Sequence, residues 1–396
     1  MVGMILVANP GSSSRKYALY DADLALKAQL HFEIADDALV CTLHGPDESH
    51  QIQLDFEKLS ESASHVERLF KSSGVLGESE TISSVGLRIV APSSYFMQDH
   101  IITDEVVDKL QALYDFAPIH IDATLTELRH LKEQFSQMTI VGVSDSAFHA
   151  TKPNYAWNYG IDIHDSDRLD IKRFGYHGLS VSASVDMLWG AGKLPPKVII
   201  CHLGSGSSVT GVYHGRSIDT TMGYTPLEGV VMATRSGSID AGAVRALKRE
   251  LSMDDEQLED YLHTKGGLMG LAGSNDIREL LDRETDGDHM AHLALTTLVH
   301  SYHKAIGSMM AALNGCDLLV FTGTVGERSA VLRKRIVAHL EFHDFILDGN
   351  LNEQCTTPQK LTAINQAAKS RPIFVIPTNE SLEIAKHVRN VMKQVQ

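Results

Sequence analysis

Short apolar runs recur along the chain and predict β-strands at residues 4–8, 84–90, 139–143, 197–203, 318–322 and 373–376. Between these runs, Leu125, Leu128 and Leu131 fall on one face of a predicted helix. Asp122 and Asp240 are placed to cap the helices that follow them, and residues 381–393 also have helical periodicity. Strands and helices mixed at this spacing predict an α/β fold.

Two segments share one pattern: residues 5–24, ILVANPGSSSRKYALYDADL, and residues 198–219, VIICHLGSGSSVTGVYHGRSID. Each has an apolar strand, a turn of Gly and Ser, and a second strand, which predicts a β-hairpin. Such turns join strands in many proteins, so one hairpin alone would mean little. With 396 residues the chain is long enough for two domains. The matched pair therefore predicts two similar α/β domains that face a cleft.

The composition limits the classes of function. A formal net charge of −15 argues against a protein that coats nucleic acid or a membrane surface, because these carry basic stripes. No apolar run approaches the roughly 18 residues that a membrane span needs. The four cysteines are far apart and form no CxxC pair, which disfavours a zinc site. The first residues, MVGMILVANPG, lack the basic segment of a signal peptide, so we expect a cytoplasmic protein.

Three loops have the composition of phosphate-binding turns, in which backbone N–H groups and hydroxyls converge on an anion. The loop at 9–16 adds the amide of Asn9 and the cation of Lys16 to its Gly and Ser residues. The loop at 202–208 is a second, and the loop at 321–328 follows a strand and enters a helical pattern. None of them is a GxxxxGK[ST] P-loop or a GxGxxG fingerprint.

Charged residues near predicted strand ends and turns supply what phosphoryl transfer needs, which is positioning and charge neutralisation. Arg88 and Asp145 end strands, and His177 precedes a helix predicted to start near residue 180. Arg235 lies in a glycine-rich turn, and Glu380 is predicted in a turn where its carboxylate could hold Mg²⁺. On position alone, a surface ion pair, a helix cap or a non-catalytic histidine explains each of them equally well.

The most specific segments are NPGSSSRKY, DSAFH, RFGYHGLS, CHLGSGSS, DTTMGYTPLEGVVMATRSGSID and IPTNESLEIA, in this order. Together they resemble the acetate/propionate/butyrate kinase family of the sugar kinase/Hsp70/actin superfamily, across effectively the whole chain. The resemblance implies an α/β fold of two duplicated ribonuclease H-like domains with an interdomain cleft. Residues 1–146 plus 381–396 would form an N-terminal actin-like ATPase-type domain, and residues 147–380 a C-terminal nucleotide-binding domain. It also implies a homodimer.

The implied activity is reversible, Mg²⁺-dependent (or Mn²⁺-dependent) transfer of the ATP γ-phosphoryl group to a short-chain carboxylate such as acetate or propionate. By resemblance, Asn9 and Glu380 serve the metal, and Arg88 holds the substrate carboxylate. Asp145 is the acidic active-site residue, and His177 and Arg235 stabilise the phosphoryl group in transfer. Residues that match the pocket for the acyl chain are Val90, Ile119, Tyr176 and Pro226. Residues implied to bind the nucleotide are Asn9, Ser12, Ser14, Lys16, His202, Leu203, Gly204, Ser205, Gly206, Asp276, Ile277, Arg278, Thr324, Val325, Gly326, Glu327 and Arg328.

Departures from the family pattern leave alternatives open. Where the family has HRVVHGGE, residues 87–94 are LRIVAPSS, which motivates a non-catalytic nucleotide-binding sensor as the second hypothesis. Tyr176 in place of Phe adds a hydroxyl, which allows a larger or hydroxylated acid. Ser205, Thr324 and Arg328 replace Asn, Gly and Asn, so another phosphoryl donor stays open. A third hypothesis is a sugar or polyol kinase in which Asp145 is the base.

Overall fold

The computed structural model describes residues 3–11, 14–35, 38–45, 48–77, 79–116 and 118–395, without the side chains of residues 35, 118–120 and 395. The chain divides into two compact units. The N-terminal unit comprises Met1–Ala147 with Asn379–Gln396, and the C-terminal unit comprises Phe148–Thr378. None of the helices in these described ranges is long and apolar enough to cross a membrane.

The N-terminal unit is built on one mixed sheet. Its strands are β1 (Gly3–Pro10), β2 (Ser14–Tyr20), β3 (Leu26–Ala35), β4 (Ala38–His44), β5 (Ser49–Ile52), β6 (Thr81–Ile89), β7 (His100–Ile101) and β8 (Thr139–Ser144). Its α-helices are α1 (Val66–Ser72), α2 (Asp104–Gln111), α3 (Pro118–Gln134) and α15 (Glu380–Val395), numbered in chain order. Short 3₁₀ turns lie at Leu59–His65, Ser94–Phe96 and Tyr114–Phe116.

Parallel strands in this sheet bring three loops to one edge. Among the described residues the strand order is β5-β4-β3-β2-β1-β6-β8-β7, with β6 parallel to both β1 and β8. Because parallel strands end at the same edge, the residues near the carboxyl ends of β1, β6 and β8 become neighbours. Helix α15 packs closely on β6: a Cβ on Gly86 would lie 2.6 Å from Val388 and 2.7 Å from Ile384. This glycine therefore allows the helix that starts at Glu380 to approach the sheet.

The C-terminal unit contains a second sheet and more helices. Its strands are β9 (Lys197–Leu203), β10 (Ser207–Tyr213), β11 (Arg216–Thr220), β12 (Leu318–Thr322), β13 (Thr362–Ala363) and β14 (Ile373–Val375). Its helices are α4 (Asn154–Trp157), α5 (Ile163–Arg168), α6 (Gly178–Gly190), α7 (Ala241–Glu250), α8 (Asp255–Thr264), α9 (Gly267–Ala272), α10 (Ile277–Thr285), α11 (His289–Leu313), α12 (Gly323–Arg328), α13 (Ala330–Val337) and α14 (Gly349–Gln354). Further 3₁₀ turns lie at Ala147–Thr151 and Glu341–His343.

The two sheets share one topology. Within the described residues the second sheet has the order β11-β10-β9-β12-β14-β13. Its β9–β10 hairpin is antiparallel, and β12 lies parallel to β9 and to β14. The run β3-β2-β1-β6-β8 of the first sheet has the same directions and order of appearance in the chain. The duplication predicted from the two Gly/Ser hairpins is therefore confirmed, as is the α/β class.

Most predicted elements are confirmed. The six predicted strands correspond to β1, β6, β8, β9, β12 and β14, and two of them, β9 and β12, have the predicted limits. The Asp240 side chain caps α7 by accepting from the backbone N–H groups of Gly242 and Ala243. The helix after His177 begins at Gly178, and the last helix begins at Glu380, close to the predicted starts.

Two local predictions are wrong. Asp122 does not cap its helix, because α3 already begins at Pro118 and places Asp122 in its second turn. Proline suits the first position of a helix, where its missing N–H costs nothing. Glu380 does not lie in a turn but starts α15, and the side chain of Asn379 accepts from the Leu382 N–H in the manner of a helix cap. A carboxylate in the first helical turn is favoured by the helix dipole.

Candidate active site

In the N-terminal unit, three predicted residues surround the guanidinium of a fourth, Arg88, and we call Asn9, Arg88, Asp145 and Glu380 the Arg88 cluster. Arg88 Nη2 donates to Asp145 Oδ2 at 2.8 Å. Its Nη1 points to Asn9 Oδ1 at 3.3 Å and to Glu380 Oε2 at 3.4 Å. Asn9 Nδ2 also donates to Glu380 Oε2 at 3.0 Å. Strands β1 and β6 supply Asn9 and Arg88, Asp145 directly follows β8, and Glu380 starts α15.

The Arg88 cluster is largely shielded from solvent. The side chain of Asp145 is 1% exposed, and those of Arg88 and Glu380 are 17% and 15% exposed. Burial alone would lower the pKa of Arg88, but the carboxylates of Asp145 and Glu380 raise it above its ordinary value. Arg88 therefore stays charged. Its buried Nε–H has no hydrogen-bond partner among the residues that the structure describes.

The same cluster has donor atoms that fit a divalent cation. Asn9 Oδ1 and Glu380 Oε2 both accept from Arg88 Nη1, so an ion that bound both oxygens would replace this contact. Amide and carboxylate oxygens are ligands that Mg²⁺ prefers, and Mg²⁺ commonly keeps water or phosphate in its other positions. The described ranges contain no group of three or more His, Cys, Asp and Glu residues arranged for a metal. An ion held here would therefore complete its coordination with non-protein oxygens.

Other site residues predicted in this unit lie beside the Arg88 cluster or fall outside the residues that the structure describes. Lys16 of β2 is paired in register with Asn9 of β1, which brings its cation to the same hairpin end. Ser14 begins β2, and Val90 directly follows β6. Ser12 lies outside the described residues, as does the side chain of Ile119.

In the C-terminal unit, His177 and Arg235 both approach Gly206. A Cβ on Gly206 would lie 3.1 Å from Arg235 Nη1 and 3.1 Å from His177 Nε2, so only glycine fits between them without displacing one. His177 adopts φ +60° immediately before α6, and its Nδ1 lies 3.1 Å from Ser208 Oγ. The side chains of His177 and Arg235, both predicted to contact the phosphoryl group, therefore lie next to the glycine loop at 204–206.

His202 packs against His177 and helps to hold its ring in position. Its ring stacks on that of His177, with 4.2 Å between the ring centroids. The His202 Nδ1 is hydrogen-bonded to Ser180 Oγ at 2.8 Å. This contact ties the strand that carries His202 to helix α6, which begins directly after His177. The ring of His177 is therefore held on one side by stacking and at Nδ1 by a hydroxyl.

A cavity of about 740 Å³ opens beside the glycine loop of this unit. Nine positions predicted to bind nucleotide line it: Leu203, Gly204, Ser205, Asp276, Ile277, Arg278, Thr324, Val325 and Arg328. The rest of its wall is Ser207, Ala233, Leu268, Asn275, Leu281, Leu298, Tyr302, Ser329, Ala330, Val331 and Leu332. A volume of this size lies in the range of about 300–1,000 Å³ that is typical of small-molecule sites.

Of the predicted nucleotide residues in the C-terminal unit, four do not line the cavity: His202, Gly206, Gly326 and Glu327. Glu327 is engaged within the protein, where its Oε1 accepts from the backbone N–H and hydroxyl of Thr378 at 2.8 and 2.7 Å. The carbonyl of Gly326 accepts from Arg333 Nη1 at 2.8 Å. These two residues therefore anchor helix α12, which carries Thr324, Val325 and Arg328 to the cavity wall.

Sequence reasoning missed Arg333 and the cavity residues of α11. Arg333 is 0% exposed and donates to carbonyl oxygens of Gly326, Glu327, Asn352 and Cys355. It has the appearance of an ordinary basic residue in the sequence VLRKRIV, so no local signal distinguishes it. Leu298 and Tyr302 are four residues apart in a long apolar helix, a spacing that indicates one face but does not identify what that face contacts.

Comparison with known proteins identifies the family of this chain. A profile described as the Acetokinase family matches residues 4–386. The chain is 37% identical over 400 residues to an acetate kinase of Thermoanaerobacter pseudethanolicus, covering 98% of this chain and 99% of that protein. A solved propionate kinase structure from Francisella tularensis subsp. tularensis matches with a TM-score of 0.88 and 32% identity, covering 98% of this chain and 99% of that one. An acetate kinase structure from Porphyromonas gingivalis matches with a TM-score of 0.84 and 29% identity, covering 98% and 100%. The chain belongs to the acetokinase family.

Proposed function

We propose that this protein is a carboxylate kinase that transfers the γ-phosphoryl group of ATP to a short-chain carboxylate, giving an acyl phosphate and ADP in a reversible reaction. Family membership supports the reaction type. The observation that carries the proposal is the shielded guanidinium of Arg88, which Asp145 and Glu380 keep charged and oriented. A small anion is the ligand that such a group recognises.

On the acceptor side, Arg88 would bind the substrate carboxylate through its planar guanidinium fork. No general base is needed, because a carboxylic acid with a pKa of about 4 is already an anion at neutral pH. Asp145 would then act by orienting Arg88, since its Oδ2 accepts from Arg88 Nη2. This engagement disfavours the polyol kinase hypothesis, in which Asp145 must accept a proton from a hydroxyl.

The acyl chain would lie against Val90, Ile119, Tyr176 and Pro226. The hydroxyl of Tyr176 donates to the Tyr224 carbonyl at 2.6 Å, and Tyr176 is 1% exposed. The Tyr176 hydroxyl is therefore already bonded to a backbone carbonyl and would not select for a hydroxylated acid. We accordingly favour an unsubstituted short chain, such as acetate or propionate, over a larger or hydroxylated acid.

On the donor side, the nucleotide would occupy the cavity of the C-terminal unit. His177 and Arg235 would donate to oxygens of the phosphoryl group in transfer, where negative charge is greatest. Lys16, Ser12 and Ser14 would contact the phosphates from the first hairpin. The retention of all these charged groups favours an enzyme over a non-catalytic sensor.

Asn9 and Glu380 would hold a Mg²⁺ or Mn²⁺ ion, whose charge neutralises phosphate oxygens of the nucleotide when bound. We also propose that residues 1–146 plus 381–396 and residues 147–380 are the two domains. The limits of the compact units, at residues 147 and 379, support this division. A cytoplasmic location and a homodimer are further proposals, and both rest on the family resemblance.

Trapping of the acyl phosphate with hydroxylamine tests the proposal. Purified protein with Mg²⁺ and ATP is incubated with formate, acetate, propionate, butyrate, glycolate or glycerol, and hydroxamate and ADP are measured. We expect hydroxamate from acetate or propionate, less from glycolate, and no ADP release with glycerol. Pyrophosphate in place of ATP tests the donor. Absence of hydroxamate from every acid, with folded protein that still binds ATP, would overturn the proposal in favour of a sensor.

A further inference from the structure

The segment at residues 223–227, which we call the Pro226 segment, contacts three parts of the proposed site through its backbone. The Tyr224 carbonyl accepts from the Tyr176 hydroxyl at 2.6 Å, and the Pro226 carbonyl lies 3.4 Å from Arg235 Nη1. The Gly223 carbonyl accepts from the Gly175 N–H at 3.2 Å, two residues before His177. The position of this segment therefore influences where Tyr176, His177 and Arg235 lie.

The Pro226 segment has no regular secondary structure, so side chains must hold it. The Tyr159 hydroxyl accepts from the Tyr224 N–H at 2.9 Å and donates to Glu228 Oε2 through a short hydrogen bond. Glu228 Oε1 lies 3.4 Å from Arg173 Nη1. The Arg173 guanidinium in turn stacks on the ring of Tyr159, 4.5 Å from its centroid. We call these three residues, Tyr159, Arg173 and Glu228, the Tyr159 brace.

The brace is closely packed against the segment that it holds. A Cβ on Gly223 would collide with both Glu228 Oε2 and Tyr159 Oη, so the hydroxyl and the carboxylate fill the space beside Gly223. The base of the brace is also fixed. The Arg173 N–H donates to the Trp157 carbonyl at 2.7 Å, and Lys152 Nζ donates to the Arg173 carbonyl at 2.5 Å.

Removing the Tyr159 hydroxyl would leave the Tyr224 N–H and Glu228 Oε2 without the partner that joins them. An irregular segment that loses a buried bond of this kind gains freedom to shift. Misplacement of reacting groups by about 1 Å can cost roughly 100-fold in rate. None of the brace residues lines the cavity proposed for the nucleotide, so nucleotide binding should depend on them little.

We infer that Tyr159 and Glu228 are positioning residues for phosphoryl transfer: they hold the Pro226 segment, and through it the acyl pocket and Arg235, in the arrangement that the reaction needs. This inference rests on the proposed function, because it concerns the rate of that reaction. Neither residue belongs to the predicted acid site, and neither lines the cavity proposed for the nucleotide. Both would act through the backbone of residues 223–227.

The test compares Tyr159→Phe and Glu228→Gln with the wild type. Tyr159→Phe keeps the ring that Arg173 stacks on and removes only the hydroxyl. We expect kcat for hydroxamate formation to fall about 10- to 100-fold, while the Kd for ATP, measured by calorimetry, changes by less than about 2-fold. Glu228→Gln keeps an oxygen for the Tyr159 hydroxyl and should retain more activity than Tyr159→Phe. Tyr155→Phe, at a tyrosine that is 86% exposed in the neighbouring helix α4, is the matched control and should behave as wild type.

The ratio of kcat/KM for acetate and butyrate adds a second readout, because a loosened pocket wall should discriminate less between chain lengths. A Tyr159→Phe variant with wild-type kcat and the wild-type ratio overturns the inference and leaves the proposed function intact. If Tyr159→Phe does not fold, Glu228→Gln carries the test, and wild-type values for it overturn the inference. A wild-type protein that forms no hydroxamate overturns the proposed function and the inference with it. A parallel loss of kcat and ATP affinity indicates general loosening and also contradicts the inference.

Discussion

Arg88 Nη2 donates to Asp145 Oδ2 at 2.8 Å, across the neighbouring parallel strands β6 and β8. The carboxylate is almost completely buried, so its charge depends on the cation beside it. This pairing holds the guanidinium plane in one orientation, and it turns Nη1 toward Asn9 and Glu380. A planar, charged and oriented group is what bidentate recognition of a carboxylate requires.

We therefore predict that Arg88→Lys will impair acid binding far more than nucleotide binding. Lysine keeps the charge beside Asp145 but lacks the planar fork. The KM for acetate should rise about 10- to 100-fold, corresponding to the loss of one charge-assisted hydrogen bond. The KM for ATP should change little. Arg249→Lys, at an exposed surface arginine, is the control. Equal increases in both KM values would argue that Arg88 does not meet the acid.

Glu380→Gln should weaken activation by the divalent ion. The substitution keeps the size of the side chain and its hydrogen bond from Asn9 Nδ2 but removes the charge. We expect the Mg²⁺ concentration for half-maximal activity to rise about 10-fold or more. Removal of metal with a chelator should abolish hydroxamate formation in the wild type. Glu250→Gln, on the surface of α7, should leave the Mg²⁺ titration unchanged. An unaltered titration for Glu380→Gln would remove this residue from the metal site.

Gly206→Ala probes the contact between the glycine loop, His177 and Arg235. The added methyl group would lie 3.1 Å from a nitrogen of each, which forces one of them to move. Because both are proposed to act on the transferring phosphoryl group, we expect kcat to fall by about 10-fold or more. Gly307→Ala, where a Cβ meets open space on helix α11, is the control and should keep wild-type kcat. Wild-type kcat in Gly206→Ala would show that this close approach has no role in the rate.

The strands and hairpins could be predicted from the sequence because they depend on local pattern. The run at 197–203 is apolar, buried on both faces and closed by Gly204, so its limits are visible without any tertiary information. Asp240 likewise caps α7 through its own nearest neighbours. Asp122 misled the prediction because a proline four residues earlier started the helix. Asp122 and Pro118 are both ordinary signals for the start of a helix, and the sequence alone does not show which of them starts it.

The site residues could be predicted from the sequence only where a family motif marked them. Arg88, Asp145 and Glu380 are separated by long stretches of chain, and a sheet edge unites them. Spacing alone gave each an ordinary explanation. Arg333 and Tyr159 carry no motif signal, because their roles depend on which backbone groups happen to lie beside them after folding. Such contacts are properties of the packed structure, and local pattern does not encode them.

His387 should make stability depend on pH between about 6.5 and 10. Its Nδ1 lies 2.6 Å from Asp99 Oδ2, and its Nε2 lies 3.7 Å from Glu383 Oε1, while Glu383 Oε2 pairs with Lys386. Burial alone would lower the pKa of His387, but the hydrogen bonds and charges of Asp99 and Glu383 raise it to about 10. Because folding raises the pKa of His387, its protonated form contributes its full stabilisation of the folded protein below about pH 6.5. This contribution is lost as the pH rises through about 10.

Urea unfolding of the wild type and His387→Gln from pH 6 to pH 10 measures this effect. Glutamine keeps a donor for Asp99 but does not titrate, so the wild type should lose more free energy of unfolding over this range. The difference should be on the order of a few kcal/mol. Other titrating groups contribute equally to both proteins and cancel in the comparison. Parallel pH profiles would show that His387 is not charged in the folded state.

The buried pair of Arg15 and Glu127 should behave as a unit in the stability of the N-terminal unit. Arg15 Nη1 makes a short ion pair with Glu127 Oε2, and the two side chains are 8% and 0% exposed. Glu127 Oε1 also accepts from the Tyr17 hydroxyl at 2.7 Å. Glu127→Ala leaves a buried guanidinium without its counter-charge, which should cost about 3–5 kcal/mol in the free energy of unfolding.

The double variant Arg15→Met with Glu127→Leu removes both charges and replaces them with apolar groups of similar volume. Since desolvation of the pair offsets much of its attraction, this variant should be more stable than Glu127→Ala, and its loss should be clearly smaller than the sum of the single losses. The Tyr17 hydroxyl keeps its contact with Ser62 at 3.1 Å, so the double variant leaves no buried hydroxyl without a partner. Denaturant unfolding of the wild type, Arg15→Met, Glu127→Leu and the double variant gives the coupling energy directly. Additive losses would mean that the two side chains contribute separately and that the ion pair itself has no net effect.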